Sequence, residues 1–246
     1  MERAAILASR SSRLNRQFVA VIALYVLLLA GGVWRLLGIL ENEMRLLAAP
    51  IIIALAIMIC MTHFLNLRQA HAAREENGPA LSLRRARLFL AWCVFVWACG
   101  FALELAGVHT GLLFGRYEYG TILQPVLLGV PLAIGCAWLT MIISSAALAQ
   151  RFLPPQWRSS KPFFSSAVAA GMVVFDFFME PAAVKLQYWN WQPAAVPLQN
   201  YAAWFAFGFM LAYSGAHLRF FEKQISPIAV HAYFAQLGYF ILAMLS

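Results

Sequence analysis

Seven apolar stretches, each long enough to cross a bilayer, constrain this chain more than any other feature. A helix needs roughly 20 residues to span a hydrocarbon layer of about 30 Å. The stretches occupy residues 17–38, 46–66, 88–108, 123–149, 163–182, 198–218 and 226–245. Only 11% of the residues are charged, against about a quarter in soluble domains, so the chain cannot cover itself with a polar surface. The sequence predicts one all-α, polytopic membrane helix bundle over residues 1–246, with about seven transmembrane helices.

The basic residues predict how these spans are oriented. Fourteen of the 18 lie before the first span or in connections on that same side of the membrane. The positive-inside rule therefore predicts an integral protein of the cell inner membrane, with a cytoplasmic N-terminus and an external C-terminus. The longest connection, 67–87, contains a Glu-Glu-Asn-Gly-Pro run and is predicted to be the flexible connector. The net charge of +8 then reflects topology, and no nucleic-acid partner is expected.

No metal or cofactor is expected. The four cysteines all lie inside apolar runs without a C-x-x-C pair, and the five histidines lack the clustered spacing of membrane di-iron enzymes. The sequence contains no Asp-rich diphosphate motif and no Gly-rich nucleotide loop. A retinal protein needs a lysine within a span, whereas the three lysines here all lie in connections.

Two stretches share one pattern at identical spacing. Val130-Pro131-Leu132 is followed six residues later by Trp138, and Val196-Pro197-Leu198 is followed six residues later by Trp204. Each block comes after a span that carries an acid, Glu104 or Glu180, and after an aromatic loop. The pattern predicts a parallel duplication of spans three and four onto spans five and six, about an axis along the membrane normal.

Three acids lie within the predicted spans: Glu104, Asp176 and Glu180. A carboxylate in hydrocarbon costs about 2.5–3.5 kcal/mol, which favours a functional role. Asp176 and Glu180 are four residues apart and share one helix face, so burial and mutual repulsion predict one neutral acid beside an ionised partner. Two other interpretations remain open: Glu180 could reach the headgroups, and Glu104 could pair with Arg116 at the rim.

Aromatic residues follow both acid-bearing spans. They could be interfacial anchors, or their π-faces could stabilise a carbocation while Asn200 and Tyr117 hold a water. The predicted topology brings acids and aromatics to one depth near the outer leaflet, so we expect one apolar cavity that opens laterally to lipid. The predicted substrate-binding residues are Tyr117, Tyr119, Trp138, Trp189, Trp191, Asn200 and Trp204.

Taken together, these motifs resemble a known family. The chain carries Glu104-x2-Gly107-Val108-x-Thr110-Gly111, Phe114-Gly115-x-Tyr117-x-Tyr119, Gly129-Val130-Pro131-Leu132, Asp176-x3-Glu180-Pro181, Tyr188-Trp189-x-Trp191 and Pro197-Leu198-x-Asn200. Within a motif-bearing core of 88–218, this set resembles the CruF-type carotenoid-biosynthesis membrane proteins, the bisanhydrobacterioruberin hydratase and carotenoid 1,2-hydratase family. The resemblance implies cofactor-free addition of water to the terminal C=C of an acyclic C40 or C50 carotenoid drawn from the bilayer. Other enzymes of that pathway are the expected protein partners.

The residue roles come from chemistry and not from the resemblance. Asp176, the deepest acid, is predicted to donate the proton, while Glu180 stabilises the cation and accepts a proton from the attacking water. These two roles could be exchanged, because strongly coupled acids titrate as a pair, and Glu104 is the next candidate. Two alternatives are a non-catalytic polyene- or lipid-binding protein and a proton-coupled transporter. A transporter relay would spread polar residues through the full membrane depth, whereas here they gather on one side.

Overall fold

Helices make up most of the part of the chain that the structure describes. The computed structural model describes residues 2–72 and 78–246, with side chains for residues 17–69, 81 and 83–246. Its helices are α1 (Glu2–Leu37), α2 (Glu41–Ala72), α3 (Gly78–Thr110), α4 (Ala133–Phe152), α5 (Pro155–Ser159), α6 (Lys161–Lys185), α7 (Leu198–His217) and α8 (Pro227–Leu245). Its strands are β1 (Arg116–Tyr119), β2 (Val126–Leu127), β3 (Val130–Pro131) and β4 (Trp189–Gln192).

The helices form the predicted all-α membrane bundle. Among the described residues, six helices are long and apolar enough to cross a membrane: α1, α2, α3, α4, α6 and α8. The remaining long helix, α7, has 20 residues but begins with polar residues that include Gln199 and Asn200, and it is not one of the six. The chain is therefore an integral membrane protein, while the predicted count of seven spans is not confirmed.

The predicted connector 67–87 is largely helical. Helix α2 continues to Ala72 and α3 begins at Gly78, so both helices extend into the segment that was expected to be flexible. The remainder of the predicted connector, 73–77, lies outside the described residues. The Gly78-Pro79 pair, taken in the sequence as a turn signal, instead begins α3, where proline is tolerated because a first-turn amide needs no partner.

The predicted fourth span begins ten residues too early. Residues 123–132 are not helical, and part of this segment folds into a hairpin of β2 and β3. Pro125 and Pro131 lack the amide hydrogen that a helix interior requires. The two residues between the strands, Leu128 and Gly129, have φ angles of 52° and 84°, as a tight primed hairpin turn requires.

Helix α4 lies at the centre of the bundle. In its most apolar stretch of 18 residues, 78% of the residues are buried. The corresponding share in α1 is 22%, which leaves the outer face of α1 for lipid. Glycines let α3 and α4 approach each other closely. A Cβ atom at Gly100 would lie 2.7 Å from Cγ of Trp138, and one at Gly135 would lie 2.6 Å from Cδ1 of Trp97. The central helix thus presents its first turns to the same end of the bundle as the last turns of α3.

The two aromatic loops pair with each other at that end. Strand β1 follows α3, strand β4 follows α6, and they are antiparallel with Tyr117 opposite Trp191 and Tyr119 opposite Trp189. An antiparallel pair has a local twofold axis, which is the relation that the predicted duplication requires. The superposition of α3–α4 on α6–α7 stays a prediction.

Candidate functional site

An apolar cavity lies beneath the β1–β4 pair, where α3 and α6 end and α4 and α7 begin. Its volume is about 70 Å³. Nine of the ten residues predicted from the sequence line it: Glu104, Tyr117, Tyr119, Trp138, Glu180, Trp189, Trp191, Asn200 and Trp204. The structure therefore brings together side chains from both halves of the sequence repeat.

Glu104 is held by three aromatic donors. The hydroxyls of Tyr117 and Tyr119 donate to Oε2, the latter at 2.8 Å, and the indole of Trp138 donates to Oε1 at 2.9 Å. Burial is the main cause that raises the pKa of both tyrosines, and the charge of the nearby Glu104 raises it further. Both hydroxyls therefore stay protonated and act as donors. Glu104 is 5% exposed, and none of the ion pairs between described residues joins it to Arg116. The rim-pairing alternative is therefore wrong.

Glu180 occupies the equivalent place in the second half. The indoles of Trp189 and Trp191 both donate to Oε2, at 2.9 and 2.8 Å. Its other oxygen, Oε1, is 3.5 Å from the amide nitrogen of Asn200. The side chain is 2% exposed, which contradicts the alternative in which Glu180 reaches the headgroups.

Asp176 lies behind the cavity wall. It is fully buried, but it does not appear among the described residues that line the cavity. The Asn200 amide donates to its Oδ2 at 2.7 Å, and its Oδ1 has no hydrogen-bond partner among the described residues. Asn200 therefore connects Asp176 to the cavity, since the same amide nitrogen also approaches Glu180.

The period of a strand explains why these aromatics point inward. Alternate residues of a strand share one face, so Tyr117 and Tyr119 face the cavity with Trp189 and Trp191, while the side chain of Glu118 lies exposed. Across the pair, ring centroids lie 5.0 Å apart for Tyr117 and Trp191 and 5.9 Å apart for Tyr119 and Trp189. Tyr117, Trp189 and Trp191 are buried and Tyr119 is half-buried, so these rings are not lipid-facing anchors.

The repeated tryptophans meet in the same cavity. Trp138 of α4 and Trp204 of α7 stack with ring centroids 4.3 Å apart and an angle of 12° between the rings. Within the described residues, Trp138 is the member of this pair that donates a hydrogen bond to an acid, Glu104. The cavity thus presents π-faces next to two carboxyl groups.

The sequence analysis missed the contribution of α2 and α8. Ile52 of α2 and both Gln236 and Phe240 of α8 line the cavity, although these helices carry no motif that the sequence analysis could use. Gln236 had one available signal, since an amide within an apolar span needs a partner or a cavity. Its Nε2 donates to the carbonyl of Ala232 at 3.0 Å, which leaves the side-chain oxygen as an acceptor.

The arrangement combines two carboxyl groups and aromatic faces in an apolar space. Such a set can protonate a carbon centre, stabilise the resulting positive charge and take up a proton again. Within the described residues, no three His, Cys, Asp or Glu side chains are grouped so that they could hold a metal ion. The absence of a cofactor stays a prediction.

The part of the sequence that forms the cavity matches a recognised protein family. A family model described as "Carotenoid biosynthesis protein" matches residues 50–245, a range that includes every residue lining the cavity. A bisanhydrobacterioruberin hydratase from Haloarcula japonica is 33% identical over 129 residues, which cover 51% of this chain and 43% of that protein. The match thus spans less than half of the relative's length, and no solved structure matches. By the extent of the family match, this chain belongs to the carotenoid biosynthesis protein family.

Proposed function

We propose that this protein is a carotenoid hydratase, a hydro-lyase without a cofactor, that adds water to the terminal C=C of an acyclic carotenoid. The observation that carries the proposal is the pair of buried carboxyl groups, Glu104 and Glu180, that face one apolar cavity walled by aromatic rings. The name of the Haloarcula relative supports the same reaction. Candidate substrates are C40 lycopene-like and C50 bacterioruberin-like chains.

Hydrogen bonding favours Glu180 as the proton donor. Both oxygens of Glu104 already accept bonds from three donors, which suits a carboxylate. Glu180 receives its two indole bonds on Oε2, while Oε1 has only the long 3.5 Å contact from the Asn200 amide, so Oε1 is the oxygen that can carry a proton toward the cavity. Since Asp176 lies behind the wall, the donor role moves from Asp176 to Glu180, the base role passes to Glu104, and Asp176 positions Asn200.

The proposed reaction has two steps. Glu180 transfers its proton to the less substituted carbon of the terminal alkene, and the tertiary neighbour becomes a cation that the aromatic faces and the Glu104 carboxylate stabilise. A water then bonds to the cation through its oxygen while Glu104 accepts one of its protons, leaving a tertiary alcohol. Return of that proton from Glu104 to Glu180 restores both groups, so the net change is addition of one water.

The size of the cavity favours chemistry at a chain end. A volume of about 70 Å³ is less than half of the roughly 150 Å³ that holds a benzene ring, so the cavity cannot enclose a whole polyene. It has room for the branched end of a chain or for a few waters. This is the observation against the pigment-binding alternative, in which the entire polyene would need a site.

Entry from the bilayer is proposed at the side of the bundle. The lining residues that remain half-buried include Ile52 of α2, Ala137 of α4, and Gln236 and Phe240 of α8, and α2 and α8 contact each other. A polyene is too insoluble to arrive through water. The remainder of the chain would stay in lipid while its end enters the cavity.

Expression in a lycopene-producing host tests the proposal. We expect carotenoids whose mass exceeds that of the precursor by one water, and by two where both ends react. The matched control is Glu180→Gln, which keeps the size and polarity of the side chain and removes the acid. Unchanged pigment from the wild-type protein, together with co-purification of intact lycopene, would support the pigment-binding alternative instead.

A further inference from the structure

A second and larger cavity lies at the opposite end of the bundle. Its volume is about 1140 Å³, and it is bounded by the last turns of α4 and α7, the short helix α5 and the first turns of α6 and α8. We call it the basic cleft. The residues that define it here are Gln150, Arg151, Arg158, Lys161, Phe164 and Phe221.

We propose that the basic cleft binds an anionic phospholipid, with the phosphate at its three cationic side chains and the acyl chains along its apolar floor. This inference does not depend on the hydratase proposal, because none of the residues of the cleft lines the aromatic cavity. It rests on charge, on the shape of the floor and on the position of the cleft in the membrane.

The positive charges of the cleft are not neutralised by ion pairs with the described residues. Arg151, Arg158 and Lys161 form no ion pair with any of the residues that the structure describes. The acid in the lining, Glu222, contacts Arg219 and Arg85 instead. The lining therefore carries a net positive charge that an anionic headgroup can neutralise.

The floor of the cleft is apolar and closely packed. Phe164 is 3% exposed and Phe221 is 7% exposed, and their ring centroids lie 5.7 Å apart. Gln150 fixes the neighbouring loop, since its amide donates to the carbonyls of Phe221 and Lys223 and its oxygen accepts from the backbone of Ile225. A soluble anion needs no such floor, whereas a phospholipid has acyl chains to lay against it.

The cleft also lies at the depth of a headgroup. Next to it, Trp157 of α5 is 45% exposed and packs against Phe163 with ring centroids 4.9 Å apart. Exposed tryptophan at the end of a membrane bundle is typical of the interface between headgroups and acyl chains. Basic pockets between helices at this depth are suited to anionic headgroups.

The test uses the full chain in detergent, titrated separately with phosphatidylglycerol, phosphatidylcholine and inorganic phosphate, with bound molecules counted by native mass spectrometry. The variant is Arg151→Gln/Lys161→Gln, because neither side chain forms an ion pair with the described residues. The control, Arg84→Gln/Arg87→Gln, removes the same charge from exposed positions of α3 outside the cleft. A charge-keeping variant, Arg151→Lys/Lys161→Arg, tests whether changes at these positions disturb the fold.

We expect one phosphatidylglycerol per chain, bound about 30-fold more weakly by the cleft variant and equally well by the control and by the charge-keeping variant. Equal weakening in the control would overturn the proposal, because it would indicate a general attraction between charges. Phosphatidylcholine binding as tightly as phosphatidylglycerol would also overturn it. So would inorganic phosphate binding as tightly as the lipid, since the acyl chains would then contribute nothing.

Discussion

At the scale of single residues, Glu104 and Glu180 lie in the same cavity but their oxygens are occupied differently. Three aromatic donors reach both oxygens of Glu104, whereas both indole donors of Glu180 reach one oxygen only. Asp176, which its depth in the span favoured as the donor, contacts Asn200 instead of the cavity. The number of hydrogen-bond donors at each oxygen therefore distinguishes Glu104 from Glu180, which residue type and membrane depth leave equivalent.

The first prediction compares two isosteric substitutions. Glu180→Gln should lower hydration by at least about 100-fold, because it removes the proposed general acid. Asp176→Asn should cost at most about tenfold, the scale of one hydrogen bond, because the new amide oxygen can still accept from Asn200. Both rates would be measured in membranes that contain equal amounts of protein. The reverse order of the two effects would return the donor role to Asp176.

The second prediction separates the two stacked tryptophans. Trp138→Phe removes the donor to Oε1 of Glu104 and leaves the proposed carboxylate with one bond fewer, so hydration should fall about 10- to 100-fold. Trp204→Phe keeps a π-face in the stack and should cost less. Hydration rates and bound substrate would be measured for both variants. Equal losses would show that stacking, and not the bond to Glu104, accounts for the role of Trp138.

Two physical arguments found most of the site in the sequence. The free-energy cost of placing an acid in a membrane identified Glu104 and Glu180 as site residues. The repeated aromatic pattern identified the rings that bond to them. The position of Asp176 behind Asn200 could not be predicted, because helix spacing fixes a face of α6 but not the side-chain direction within it. Ile52 and Gln236 could not be predicted either, since their contribution depends on how α2 and α8 pack.

At the scale of elements, strands β1 and β4 bring the two halves of the site together. Each supplies two alternate aromatics that bond to the acid of its own half, while cross-strand contacts join the halves. The sequence predicted these segments as loops, because four residues are too few for hydropathy to reveal a strand. The hairpin at 126–131 was likewise hidden inside an apolar run, although its prolines and its Leu-Gly turn explain it afterwards.

The third prediction tests how the β1–β4 pair is positioned against the start of α7. Gly115 has a φ of 106°, and an added Cβ would lie 2.5 Å from Cγ of Pro197, the residue that precedes α7. Gly115→Ala should therefore displace the start of α7 and destabilise the protein by about 1–3 kcal/mol beyond the backbone strain, with loss of hydration. Thermal unfolding and hydration rate would be measured together.

The control for that substitution is Gly38→Ala. Gly38 has a φ of 66° but nothing within 4 Å of an added Cβ, so it reports backbone strain of about 1–2 kcal/mol alone. Hydration should then be unchanged, since Gly38 does not line the cavity and an added Cβ there meets no other atom within 4 Å. If both variants unfold and react alike, the contact between Gly115 and Pro197 does not position the site.

At the scale of the whole molecule, the two cavities occupy opposite ends of one bundle. Helix α4 lines both, with Met141 near the aromatic cavity and Ala147 at the basic cleft. The basic residues that predict a cytoplasmic side include Arg151, Arg158 and Lys161, so the proposed orientation places the cleft in the leaflet that carries more anionic lipid. The carotenoid end would then react near the opposite leaflet.

The fourth prediction tests entry of the carotenoid from lipid. Ile52 of α2 lines the cavity and is half-buried, so Ile52→Trp should narrow the proposed opening. Ile57, on the same helix but 59% exposed, provides the matched control Ile57→Trp, which adds the same ring to the outer surface of the bundle. Adding bulk to a packed opening costs about 1–3 kcal/mol, so kcat/KM for a full-length carotenoid should fall about 5- to 100-fold in the first variant and little in the second.

A short alkene with the same branched end should be less affected than the carotenoid, because it has no chain that must remain in the opening. Equal activity of the two variants on the carotenoid would place the entrance elsewhere, since the added ring at Ile52 could not then lie in the path of the substrate.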